Sequence, residues 1–359
     1  MATDEQPPVP IWGDANKAAG NFGTVEKSPD TRAAAPGAIP VIDVSPMFSP
    51  MIEDRKRVAA ELREACLKIG FFYVKGHGID QAQIDRVFEG GKQFFSLGFE
   101  EKMEIFINNT HNYRGFTPLG GSGARLNGKG IVRVMLDRGH AADHRLDPDM
   151  NEAFDWGHDR FLNDDPTDPC TDPYMRGDNV WPRQLPEFKE ELSAYYRTMR
   201  AFCRIMARNV ALSLDLEEDY FAPFVTHPVF TILAPGDVPA LEVLNRDGYW
   251  ISAPPINGCF IVNVGDQLQR MTNNLYISTK HRVMNYSGKE RYSVPFFFSV
   301  NWETVIEPIQ ELLQEGDSAE AANVTAGQMY KDTMVGFHLI AESDPVLRPW
   351  IKELRAGRR

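Results

Sequence analysis

Arg291 and Ser293 stand two positions apart in Arg291-Tyr-Ser-Val-Pro-Phe-Phe-Phe298, an apolar run that reads as a strand. Residues two apart on a strand share a face, so the guanidinium and the hydroxyl point to one side. A planar guanidinium grips a carboxylate through two parallel hydrogen bonds, and a hydroxyl beside it adds a third donor. The same spacing also suits an ordinary strand arginine paired with a neighbouring acid, and spacing alone does not choose between the two. His281 opens the segment just before, His281-Arg-Val-Met-Asn285, which a Ser287-Gly-Lys289 turn joins to the arginine strand. The other histidines (His77, His111, His140, His144, His158, His227 and His338) read as turn or surface residues. His140 and His144 have the i, i+4 spacing of a helical metal pair. They lie among Asp143, Asp147, Pro148 and Asp149, in a polar stretch that reads as loop. Cys66, Cys170, Cys203 and Cys259 are far apart and lack CxxC spacing, which argues against a disulfide framework or zinc–thiolate site. A reducing cytoplasm is the expected compartment.

These residues need elements to hold them. Val229–Leu233, Ala240–Leu244, Trp250–Ser252, Cys259–Val264, His281–Asn285 and Tyr292–Val300 read as short strands, with Arg246-Asp-Gly248 as a hairpin turn. Ahead of them, Leu185, Phe188, Leu192, Tyr195, Met199, Phe202, Met206 and Val210 recur at steps of three or four. That period predicts a helix from about Pro186 to Leu214, with proline at its start, where a missing N–H costs little. Further back, Ile39–Val44 reads as a strand and Ile52–Ile69 as an amphipathic helix stopped by Gly70. Phe71–Val74 reads as a buried strand, and a second helix carries Ile84, Val87, Phe88, Phe94 and Phe95. Two late helices are expected near Ile309–Leu313 and Ala326–Val335. Helices followed by a run of antiparallel-type strands predict a mixed α+β fold, a double-sheet or barrel core with a helical N-terminal buttress.

The composition bounds what such a fold does. Of 359 residues 43% are hydrophobic, enough for a substantial core, and the formal net charge is −12. An acid excess works against tracking a phosphate backbone, so no nucleic-acid partner is expected. The longest apolar run, Val294–Val300, is strand-sized, far short of the ~20 residues that span a bilayer. The N-terminus, with Asp4 and Glu5, has no signal-peptide pattern. Residues 1–37 show no periodicity and are expected to form a flexible leader. The remaining divisions are an N-terminal region 38–180, a core helix and jelly roll 181–305, and C-terminal helices 306–359.

From Ile39 to about Trp302 the chain resembles the isopenicillin N synthase-like branch of the Fe(II)/2-oxoglutarate-dependent dioxygenases. The likeness rests on Ile39-Pro-Val-Ile-Asp-Val44, Gly70-Phe-Phe-Tyr-Val-Lys-Gly-His-Gly78, Tyr113-Arg-Gly-Phe-Thr-Pro-Leu-Gly120 and Asn151-Glu-Ala-Phe-Asp-Trp-Gly157. It continues through Asp237-Val-Pro-Ala-Leu-Glu-Val243, Asn263-Val-Gly-Asp-Gln-Leu-Gln-Arg270, Thr272-Asn-Asn274, Ser278-Thr-Lys-His-Arg-Val283 and Arg291–Phe298, all in family order. The resemblance implies a double-stranded β-helix, or jelly roll, with iron at one end. In that family a His-x-Asp pair and a distal histidine bind the metal and leave positions open for 2-oxoglutarate and O₂. Carried over, His281 is the distal iron ligand, and Arg291 and Ser293 bind the 5-carboxylate of 2-oxoglutarate. The implied reaction oxidises a small organic metabolite by hydroxylation, desaturation or ring closure, in a cytoplasmic monomer of secondary metabolism. The Phe296–Phe298 run, Trp250 and Trp302, if they face the pocket, suit an apolar substrate, though core packing is the commoner role for such residues.

Two departures accompany the resemblance. The family reads His-x-Asp just before the strand that here begins at Val229, whereas this chain joins that strand directly to Thr226-His-Pro228. The position two after His227 is Val229, not a carboxylate, so His227 would rescue the site only in part. An extra segment, Ile131–Gly139 with His140–His144, also interrupts a connection that is usually short. A loss and a gain together are what incorrect exon joining produces. The alternatives to an active oxygenase are therefore a catalytically impaired member that binds a ligand or partner, or a mis-spliced form of an active enzyme.

Overall fold

Which side of each strand carries the apolar residues decides how the two sheets of this protein stack. The computed structural model describes residues 31–110, 112, 114–118, 132–137, 151–157, 178–223, 230–313 and 324–329. In chain order, β1 (Thr31–Arg32), β2 (Val41–Asp43), α1 (Ile52–Lys68), β3 (Phe71–Lys75), α2 (Gln81–Phe95) and the short α3 (Phe99–Met103) come first. Then follow β4 (Gly115–Thr117), β5 (Val132–Asp137), β6 (Asn151–Trp156) and the long α4 (Pro186–Ser213). β7 (Phe230–Pro235), β8 (Leu241–Leu244), β9 (Trp250–Ser252), β10 (Phe260–Val264), α5 (Asp266–Met271), β11 (His281–Val283) and β12 (Arg291–Phe298) complete the series.

The strands form a large sheet, ordered β2-β3-β10-β7-β12-β5-β6-β4, and a small one, ordered β1-β9-β8-β11. Val294, Phe296 and Phe298 of β12 pack into the same core as Leu192, Tyr195, Met199 and Met206 of α4. The Phe296 and Tyr196 rings lie 5.6 Å apart there. The opposite face of the large sheet carries Phe71, Tyr73 and Ile261, which form a second core with Leu241, Val243 and Ile251 of the small sheet. The large sheet is thus sandwiched between helices and the small sheet, and its central strands, such as Phe71-Phe-Tyr-Val74 and Phe260-Ile-Val262, read as nearly continuous apolar runs because both faces are covered.

Local chemistry explains the helix boundaries. Pro186 occupies the first turn of α4, as the sequence predicts. The Asp80 carboxylate caps α2 by accepting from the Ala82 N–H at 3.0 Å. Gly70 ends α1 at φ +66°, and a Cβ there would lie 1.8 Å from the Ile277 carbonyl oxygen, so no other residue fits without displacing that segment.

Three expectations change. Residues 31–37, expected within the leader, belong to the fold: β1 pairs in parallel with β9, and the Arg32 guanidinium sits 3.3 Å from the centre of the Tyr249 ring. Val132–Asp137, read as an inserted connection, is a strand that pairs with β12 on one side and β6 on the other. The first late helix shrinks to a 3-10 turn at Gln310–Leu312. Phe296 and Phe298 take the commoner role expected of such residues and pack into the core on the helical side, while Trp250 lies outside the sandwich beneath Arg282. The His140–His144 pair, His227 and residues 330–335 of the second late helix lie outside the described residues.

Candidate active site

The alternation that turns Val294 and Phe296 toward α4 turns Arg291 and Ser293 toward the interior of the sandwich. Ladder pairing fixes that orientation, since Pro295 stands opposite Leu233 and Leu233 opposite Ile261 on the same face. Both side chains are deeply buried, each only 2% exposed. Arg291 Nη1 donates to Ser293 Oγ at 3.2 Å, so two donor groups converge on one spot. A guanidinium held this far from water needs negative charge or strong acceptors around it. The donor set fits a carboxylate.

His281 sits at the start of β11, the outermost strand of the small sheet among the described residues. Its ring meets the Phe71 ring edge-on at 5.1 Å, which aims it across the gap toward the large sheet. Nδ1 lies 3.1 Å from the Thr279 carbonyl oxygen. A carbonyl only accepts, so Nδ1 carries the proton and Nε2 keeps its lone pair, the arrangement a metal-binding imidazole needs. The ring keeps accessible surface, yet the protein crowds it. Desolvation lowers its pKa below the ordinary 6.5, against opposing pulls from the Thr279 carbonyl and the Asp266 charge.

The pieces do not all assemble. Among the described residues, no three His, Cys, Asp or Glu side chains gather closely enough to hold a metal ion. Asp266 faces the His281 region but accepts a hydrogen bond from Ser278 Oγ at 2.6 Å. The described residues therefore offer donors that fit a carboxylate, and they do not form a complete iron site. His77 is a structural joint: its Nδ1 accepts from the Ile79 N–H at 3.2 Å, and its ring packs 4.4 Å from Phe260. Cys66 and Cys203 are buried thiols as expected, with burial pushing Cys66 up to about 12. A groove of about 1140 Å³ beside α2 is lined by Phe88, Glu89, Asp237, Cys259 and Tyr292, and it includes none of His281, Arg291 and Ser293.

Comparison with known proteins decides what this geometry belongs to. Residues 39–184 match the family described as non-haem dioxygenase in morphine synthesis N-terminal, and residues 205–300 match the 2OG-Fe(II) oxygenase superfamily. The chain is 32% identical over 320 residues to the 2-oxoglutarate-Fe(II) type oxidoreductase ppzC of Metarhizium majus (strain ARSEF 297), covering 77% of this chain and 80% of that protein. The chain belongs to the 2OG-Fe(II) oxygenase superfamily. Membership brings Fe(II) as the metal, 2-oxoglutarate as co-substrate, and O₂ and a small molecule as reactants. A homoarginine-6-hydroxylase of Glycine max is 32% identical over 315 residues, covering 76% of this chain and 88% of that protein. The crystal structure of a 2OG-Fe(II) oxygenase family protein from Caulobacter crescentus superposes with a TM-score of 0.66 at 27% identity, covering 83% of this chain and 98% of that one. That likeness establishes the jelly-roll core. In both pairwise alignments the aligned length exceeds the portion of this chain it covers, so those relatives carry residues with no counterpart here.

Proposed function

We propose that Arg291 and Ser293 bind the 5-carboxylate of 2-oxoglutarate and that His281 is a ligand of Fe(II). The enzyme would hydroxylate, desaturate or ring-close a small organic metabolite of secondary metabolism. The observation that carries this reading is the buried Arg291–Ser293 pair, turned into the sandwich on the strand that follows His281. Bound Fe(II) would supply the redox chemistry that couples reduction of O₂ to oxidation of both 2-oxoglutarate and the substrate. Arg291 fixes the co-substrate's distal carboxylate with two parallel N–H donors, and Ser293 adds a third from the same face. That grip leaves the co-substrate's other end free to reach toward His281. The Thr279 carbonyl holds the His281 ring with Nε2 presented. Apolar Leu233 and Ile261 on the same sheet face exclude water from the space between.

The remaining iron ligands are the open element of this reading. No histidine in the chain is followed two positions later by Asp or Glu. The relatives' surplus residues are consistent with a missing segment before β7. Sequencing the transcript across codons 128–150 and 226–230 tests this, and additional codons for a His-x-Asp strand are the expected finding. The acid excess and the absence of CxxC spacing support a cytoplasmic monomer without a nucleic-acid partner.

The decisive binding experiment titrates 2-oxoglutarate into the full chain by calorimetry, with Arg291→Ala as the comparison. Binding that is lost in the variant supports the reading, and equal binding by both proteins sinks it. Succinate release with Fe(II) and O₂ then reports turnover.

A further inference from the structure

Arg282, the neighbour of His281, points the opposite way, onto the outer face of the small sheet, and spans that sheet almost from edge to edge. Its Nε donates to Glu242 Oε2 of β8 at 2.7 Å. Its guanidinium carbon lies 4.1 Å from the centre of the Trp250 ring of β9, and Nη2 donates to Thr31 Oγ1 of β1 at 3.2 Å. The Glu242 side chain is only 3% exposed, so this is a largely desolvated ion pair with a stacked cation, not a loose surface contact. One side chain ties the short outer strand β11 to each of the other strands of its sheet.

The tie matters because β11 has little else to hold it. It is three residues long and pairs only with β8 among the described strands. A strand so short, with one ladder, sets the direction of its own side chains poorly. We infer that Arg282 is a positioning residue for His281, and that the N-terminal strand β1 takes part through Thr31. In this arrangement a segment expected to be a mobile leader bears on the orientation of the metal ligand. The inference rests on the reading of His281 as an iron ligand, but its test does not need the metal.

The experiment follows the His281 ring Cε1–H resonance by NMR in the metal-free full chain, assigned by its loss in His281→Gln. In Arg282→Ala the resonance should move and broaden while the Tyr276 ring signals of the core keep their native dispersion. Arg282→Lys keeps the charge opposite Glu242 but cannot also reach Thr31, so its resonance should lie between wild type and Arg282→Ala. Thr31→Val, which removes only the outermost contact, should shift the resonance by a smaller amount. A His281 resonance in Arg282→Ala that superimposes on wild type overturns the inference. If Arg282→Ala does not fold, Thr31→Val decides in the same way: a shifted line supports the inference and a superimposed one overturns it. Adding Co(II) separates the underlying reading. Paramagnetic broadening of His281 in the wild type marks it as a ligand, and Co(II) affinity should then fall about tenfold in Arg282→Ala. Absence of broadening would reject His281 as a ligand and leave the effect of Arg282 on the ring to be read from the metal-free spectra.

Discussion

Arg291 is buried to the same degree as the phenylalanines around it, and a guanidinium reaches such a place only with compensation. Charge-assisted hydrogen bonds contribute about 1.5–3 kcal/mol each, so Arg291→Ala should weaken 2-oxoglutarate binding by about a hundredfold, measured by calorimetry. Arg291→Lys keeps the charge but loses the two-pronged geometry, and should fall between. His77 gives a prediction of a different kind. Its buried ring has a pKa below the ordinary 6.5, mainly because burial penalises the charged form, with a bond to the Gly258 backbone pulling the other way. Below pH 6.5 the unfolded chain therefore binds more protons at this site than the folded one. The stability His77 contributes is full above that pH and is lost as pH falls toward its folded pKa. Urea unfolding of wild type and His77→Gln at pH 7.5 and 5.5 should show a smaller acid-induced loss in the variant.

At the scale of elements, the large sheet depends on what it meets on its helical side. Lys102 of α3 pairs with Glu152 of β6 at 2.8 Å with both side chains almost fully buried, and its ammonium also donates to the Phe95 carbonyl at 3.3 Å. Removing one partner strands the other charge in the core. Glu152→Ala should cost about 3–5 kcal/mol in urea unfolding. A loss below 1 kcal/mol would mean that water reaches Lys102 in the native state. β5 shows what a sheet does with an additional segment. Val132-Arg-Val-Met-Leu-Asp137 is rich in residues that favour strands and pairs with β12, so an apparent insertion became part of the ladder.

For the whole molecule, ligand binding and stability are coupled by mass action. At a concentration a hundred times its dissociation constant, 2-oxoglutarate should add about 2.7 kcal/mol to stability and raise the melting temperature by a few degrees. The same addition should stabilise Arg291→Ala, with its hundredfold weaker binding, by only about 0.4 kcal/mol, a far smaller shift in differential scanning fluorimetry. An equal shift in both proteins would place the binding elsewhere, for instance in the groove beside α2. The relatives cover most of the chain, so the oxygenase reading applies to the molecule as a whole and is favoured over a purely binding role.

By itself the sequence determined the local pieces. The three-and-four spacing of α4, the glycine that ends α1 and the two-residue step from Arg291 to Ser293 follow from helix and strand periodicities, which are properties of a few consecutive residues. His281 stood out only through its neighbours in the chain. Tertiary structure decided which face of each strand turned inward. That separated Arg291 and Ser293, in the sandwich, from Phe296 and Phe298, against the helices, and placed Trp250 outside. It also brought Thr31 to Arg282 from far along the chain, and drew Val132–Asp137 into the ladder beside β12. Periodicity says that a strand has two faces. Which layer covers each face, and which distant segment completes its edge, depends on packing between elements that no local pattern encodes.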